Sequence, residues 1–170
     1  MKQSLRVCVI AVALIAGGGL LLGHITRAAT TANVTATVTA VNLAISVADG
    51  SIAYGSVNLS TATTTANNGE TQVVTNDGST MKLNVKSSDA TGGTAWTLGT
   101  SIASNVFKHE VSTTTGSTYM TFQATDTYLT ASTSIAAGLT QNLDFRFTTP
   151  SGTTDFVQKS VTVTVQAATP

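Results

Sequence analysis

Leu143-Asp144-Phe145-Arg146-Phe147-Thr148 carries an apolar side chain at every second position and a polar one between each pair. A strand turns successive side chains to opposite faces. This stretch therefore predicts a strand with one face on a core and the other, with Asp144 and Arg146, in water. The same period recurs along the chain. Met81, Leu83 and Val85 alternate with Lys82, Asn84 and Lys86, and Val161, Val163 and Val165 alternate with Thr162, Thr164 and Gln166. Nearer the N-terminus, Val34, Ala36, Val38 and Ala40 alternate with Thr35, Thr37 and Thr39. Between such stretches stand Asp49-Gly50, Asn67-Asn68-Gly69, Asn76-Asp77-Gly78, Gly92-Gly93, Thr115-Gly116-Ser117 and Pro150-Ser151-Gly152. Pairs of this kind supply the positive φ that tight turns require. Eight or nine short strands at this spacing predict an all-β fold, an antiparallel immunoglobulin-like or jelly-roll β-sandwich; an up-and-down barrel is the alternative. The Ser/Thr-rich patch from Ser60 to Ala66 is expected to be a loop or an edge strand, since it lacks the proline of a mucin-like stalk.

The first residues read as a leader. Lys2 and Arg6 precede an apolar run from Val7 to Gly23, and small residues at Thr26 and Ala28 suit a cut after Ala28. The expected organisation is a signal peptide, a helix over 1–28, followed by a single domain over 29–170. A retained anchor is the rival reading. The run is shorter than the roughly 20 residues that span a bilayer, and Gly17-Gly18-Gly19 weakens a helix. Cys8, the only cysteine, lies inside the leader and not at the cut, where lipidation would need it. The mature chain would then have no disulfide, and its stability would come from a hydrophobic core. The location that follows is extracellular or at the cell surface, with no membrane association after cleavage.

Charged residues make up 9% of the chain. Beyond Ala28 five basic side chains (Lys82, Lys86, Lys108, Arg146, Lys159) face eight acids, a net charge of −3. The bases are scattered, so no nucleic-acid partner is expected. Thr supplies 34 of the 170 residues, which favours pleated backbone with a neutral polar exterior.

No catalytic constellation stands out. His109 is followed by Glu110, but Ser112 and Thr113 occupy the places where a zinc-binding His-Glu-x-x-His helix needs its second imidazole. His109 is expected to face solvent from a strand. No Gly-x-Ser-x-Gly elbow marks a nucleophile, and the acids are dispersed next to turns. Asp49, Asp77, Asp89 and Asp126 lack the alternating acidic neighbours of a calcium loop. An intramolecular Lys–Asn isopeptide would need Lys82 or Lys86 next to an asparagine on an adjacent strand, with Glu110 as the buried acid, but their alternation with Met81, Leu83 and Val85 places both lysines on the outer face. Trp96, Tyr119 and Tyr128 could stack on sugar rings, but Trp96 alternates with Leu98 behind Gly92-Gly93 and is expected in the core. The chain is therefore expected to be non-enzymatic, with no catalytic residue, cofactor or metal.

Four segments carry a resemblance: Ser51-Ile52-Ala53-Tyr54-Gly55-Ser56-Val57, Thr75-Asn76-Asp77-Gly78-Ser79, Thr94-Ala95-Trp96-Thr97-Leu98 and Phe145-Arg146-Phe147-Thr148-Thr149-Pro150. Together they resemble small exported bacterial and archaeal β-sandwich surface proteins. Trp96-Thr97-Leu98 is distantly similar to the first Trp-x-Leu motif of the WxL domain, which attaches to Gram-positive cell walls. That family's second motif is replaced here by Ser160-Val161-Thr162-Val163-Thr164-Val165. A leader followed by a sandwich is also similar in layout to TasA-like fibre proteins and archaeal bundling pilins. The resemblance implies a cell-surface structural protein, a filament or coat subunit that self-associates or joins the cell envelope; a cell-wall or carbohydrate-binding module is the alternative. Residues Ala29 to Val41, uncharged and without turn residues, suit strand exchange between subunits; the competing reading makes them the first strand of their own sheet.

Overall fold

The computed structural model describes Thr31 and residues 33–170. The expected leader, its cut after Ala28 and Cys8 lie outside the described residues. Among the described residues, no helix is long and apolar enough to cross a membrane.

Strand β9 (Thr140–Thr148) contains the alternating stretch and organises the larger of two sheets. One of its edges is shared end to end by two partners. Strand β3 (Gln72–Asn76) pairs with Thr140–Leu143, and β2 (Ala62–Thr64) pairs with Arg146–Thr148. Its other edge pairs with β6 (Val106–Ser112) in the register His109↔Phe147. Strand β1 (Ile45–Ala48) extends the sheet beyond β3, while β5 (Thr97–Gly99) and β7 (Met120–Thr121) pair with successive halves of β6. The smaller sheet places β4 (Met81–Ser87) between β8 (Leu129–Ile135) and β10 (Val163–Ala168). All pairs are antiparallel except β5–β6, and neither sheet closes into a barrel. The one described helix, α1 (Thr65–Asn68), is a single turn between β2 and β3, and it ends where Gly69 takes φ 74°. Asn67-Asn68-Gly69 is thus a helical turn and not a hairpin.

Both sheets contribute to one core. Met81, Leu83 and Val85 of β4 are fully buried, as the alternation requires, with Phe107 and Val111 of β6 and Leu143 and Phe145 of β9. Each buried aromatic or aliphatic side chain of this size contributes about 1.5–3 kcal/mol through removal from water.

Two expectations need correction. Asp144 does not face water: it is fully buried between Leu143 and Phe145. The cause is the break between β3 and β2, where Thr65 crosses over β9. There Thr65 Oγ1 accepts the Phe145 N–H at 2.8 Å and donates to Asp144 Oδ1 at 3.4 Å; Thr71 Oγ1 donates to the same oxygen. A central strand covered on its outer side by α1 buries both of its faces at that point. The second correction concerns the N-terminus. The alternation from Val34 to Ala40 forms no strand, and the first strand begins at Ile45.

Residues 40–170 form one compact unit; Thr31 and residues 33–39 belong to another. Every described residue from 31 to 39 is exposed, Val34 at 92% and Val38 at 96%.

Candidate functional site

His109 is a third correction, since it does not face solvent. Its parity with Phe107 and Val111 turns it into the core, where it is 1% exposed. Nδ1 lies 2.8 Å from Ser87 Oγ of β4, and Nε2 lies 3.1 Å from the Tyr54 hydroxyl. One ring nitrogen donates and the other accepts, so the neutral imidazole satisfies both partners. Phe122, Phe145 and Phe147 surround the ring at 5.4–5.6 Å between centroids. Burial lowers the His109 pKa from 6.5 to about 3, against a small opposing pull from Glu110. Burial likewise raises the Tyr54 phenol well above its usual value, with a further contribution from Tyr119. Neither ring nitrogen meets a carboxylate. The arrangement is a neutral polar tie between two sheets and has no activated nucleophile.

Glu110 points the other way and receives an ion pair from Lys108 at 2.8 Å, one from Arg146 at 2.5 Å and the Thr121 hydroxyl at 3.1 Å. Burial alone would raise its carboxyl, but the hydrogen bonds from Arg146, Lys108 and Thr121 prevail and hold it at about 2. Lys86 instead pairs with Asp126 at 2.9 Å, so Glu110 and the lysines weighed for an isopeptide are not brought together.

Trp96 is 8% exposed, and Lys159 Nζ stands 5.4 Å from its ring centroid. Lys159 donates to the carbonyls of Gly92 and Thr94 and to Asp155 Oδ2, the last at 2.8 Å. Asp155 is held at about 2, first by Lys159 and then by the N–H groups of Val157 and Thr94. The three aromatics considered as a sugar platform are engaged separately: Tyr119 lies under the Arg146 guanidinium at 4.3 Å, and Tyr128 under Lys86 at 5.2 Å. Among the described acids, Asp89 Oδ1 accepts the Leu98 N–H and Asp49 Oδ1 the Ser51 hydroxyl. Among the described residues, no group of three His, Cys, Asp or Glu side chains could hold a metal ion.

An opening lies on one flank of the two-sheet unit. It is a groove of about 1560 Å³, larger than the roughly 300–1,000 Å³ of small-molecule pockets. Beneath it lie Leu143, Phe145 and Phe147 of β9, all three already buried. On one side stands β10 with Val163 and Val165, half-buried, and its edge away from β4 is unpaired among the described residues. On the other side runs the segment 51–59. There Ile52, Tyr54, Val57 and Leu59 are partly buried, and the residues between them are exposed. The alternation is interrupted where Gly55 takes φ 70° and the chain bends at Ser56, and the segment belongs to no sheet. Tyr54 packs 5.4 Å from Phe147, and its hydroxyl meets the Nε2 of His109 while Ser87 meets the Nδ1. Phe156, 78% exposed, and Val157, 57% exposed, rim the opening. Sequence reading did not find this groove, because it is made by segments from opposite ends of the unit; the alternation of Ile52 and Tyr54 was the available signal.

Comparison of the chain with family models, with curated proteins and with solved structures finds no match.

Proposed function

We propose that the chain is an exported, non-enzymatic structural protein of the cell surface, a filament or coat subunit that assembles by strand exchange. In this reading residues 1–28 are removed as a signal peptide, and the two sheets form an immunoglobulin-like or jelly-roll sandwich. The observation that carries the proposal is the state of residues 33–41. They alternate Val and Ala with Thr, carry no charge, are exposed and pair with no strand. A solvent-exposed uncharged segment with a strand's periodicity gains main-chain hydrogen bonds when it adds to a free sheet edge. The buried, neutral surroundings of His109 and the lack of a carboxylate on its ring favour a non-catalytic role.

The test is sedimentation and electron microscopy of the purified mature protein beside Val38→Lys. Filaments or large assemblies are expected from the parent and their loss from the variant, because a lysine on the inward face would be buried unpaired. A parent that stays monomeric, and is retained on cell-wall polysaccharide, would favour the binding-module alternative.

A further inference from the structure

We infer that the free edge of β1 is an interface with a second copy of this chain, the two β1 strands pairing antiparallel about a two-fold axis. The inference stands apart from strand exchange, because it uses residues 42–48 and leaves the segment before them free.

The edge is longer than β1 itself. Ile45–Ala48 pairs with β3 in the register Ile45↔Asn76. Ala44 O accepts the Asp77 N–H at 3.0 Å and Asn42 O accepts the Ser79 N–H at 2.7 Å, and both bonds keep that register beyond the end of β3. Residues 42–48 therefore run as one regular line. The main-chain groups of Asn42 and Ala44 turn to this partner, so those of Leu43, Ile45 and Val47 point the other way. No described strand meets them, since β1 ends its sheet. The side chains of Ile45 and Val47 line the opening, and Leu43 shares their parity. Leu43 is 39% exposed and Val47 37%.

Free edges are usually blunted by charge, proline, bulges or shortness. Residues 42–48 contain no charged residue and no proline, and their register does not shift. Strand β8 shifts register twice, and β2, β5 and β7 span only two or three residues. Strand β10 is regular, but its Val163 and Val165 are already half-buried, so pairing there would cover less apolar surface.

A second copy matches this edge in both backbone and side chains. With Ile45 opposite Ile45 of the second copy, Leu43 falls opposite Val47, Ala44 opposite Ser46 and Asn42 opposite Ala48. The outward main-chain groups of Leu43, Ile45 and Val47 then all meet their counterparts, and the exposed apolar side chains cover one another on one face. A two-fold contact uses the same patch on both copies and closes at two.

The test uses the full chain with Val38→Lys, which the strand-exchange reading leaves unable to form filaments, and with Cys8→Ser, which removes the one cysteine. Sedimentation should show a dimer that dissociates on dilution. Adding Val47→Lys or Leu43→Glu should give a monomer in each case, and mixing the two should restore the dimer, because the new charges then stand opposite each other. Asn42→Cys and Ala48→Cys should cross-link only when mixed: like positions lie about 20 Å apart along the paired strands, whereas the unlike ones face each other. A monomer at every concentration, or cross-links as strong within either cysteine variant alone, would overturn the pairing and leave strand exchange to its own test. A dimer here, beside a chain with Val38 unchanged that forms nothing larger, would uphold the pairing and remove strand exchange.

Discussion

The Nδ1 of His109 lies 2.8 Å from the Ser87 hydroxyl, and this contact joins β6 of the large sheet to β4 of the small one. It requires a neutral ring, because the site is buried and no carboxylate meets the imidazole. The folded state holds the His109 pKa at about 3 against 6.5 when exposed. Below pH 6.5 the unfolded chain binds a proton that the folded chain refuses, so stability falls as pH drops from 6.5 towards 3. The slope approaches about 1.4 kcal/mol per pH unit for one proton. Urea midpoints at pH 7, 5.5 and 4.5 should fall in that order, and His109→Gln should flatten the decline. Equal midpoints at pH 7 and 4.5 would refute the assignment.

Glu110 adds a second and lower transition. Its carboxyl is held at about 2, below the ordinary 4.5. A depressed acid stabilises the fold above 4.5 and loses that contribution as pH falls from 4.5 towards 2. Glu110→Gln should destabilise at pH 7 by about 1–3 kcal/mol, since it leaves Lys108 and Arg146 without their carboxylate. The cost should shrink steadily as pH falls from 4.5 towards 2. A variant as stable as the parent at pH 7 would show that the cluster contributes nothing.

Gly78 allows Asn42 to pass. A Cβ at this glycine would stand 2.2 Å from Asn42 O and 2.8 Å from Ala44 N. Both neighbours are backbone and cannot swing aside. Gly78→Ala should therefore break the Asn42–Ser79 bonds and cost about 1–3 kcal/mol, within the usual range for an overpacked site. Amide exchange at Ser79, whose N–H is bonded to Asn42 O, should accelerate, while exchange in β4 should hardly change. Protection at Ser79 equal to that of the parent would contradict the close approach.

The inward half of the fold was legible in the sequence, because Leu83, Val85, Leu143 and Phe145 obey a period of two with no exception. His109 was legible too, had its parity with Phe107 and Val111 been weighed above its polarity. Asp144 was not, since its burial depends on α1 covering the outer face of β9, a tertiary event that local alternation does not report. Val34 to Ala40 shows the opposite failure. The period is present, but a strand exists only where a partner supplies hydrogen bonds, and no described strand pairs with this segment. The groove escaped notice for a related reason: segment 51–59 and β10 are more than a hundred residues apart.

Trp96 offers a direct check on the core. Its ring is 8% exposed, and its Nε1 lies 3.4 Å from Thr153 Oγ1. Fluorescence should be blue-shifted and poorly quenched by iodide, and Trp96→Ala should cost about 3–5 kcal/mol. A fully stable variant with lost polysaccharide binding would return Trp96 to the role of a sugar platform.

Removal of every residue before Asn42 separates stability from assembly. The compact unit begins at Ala40, and the described residues before it are exposed and form no strand. Asn42 keeps its two bonds to Ser79, so β1 retains its register against β3. The truncated chain should unfold with the parent's urea slope and with stability within about 0.5 kcal/mol of the parent, as for changes away from packed features. It should also fail to assemble into filaments alone, because it lacks the donor segment. Added as a minor component to the parent, it should cap growing chains and shorten them. Loss of several kcal/mol on truncation would mean that residues 29–41 are an ordinary first strand of their own sheet. Assemblies of undiminished length would mean that the donor lies elsewhere in the chain.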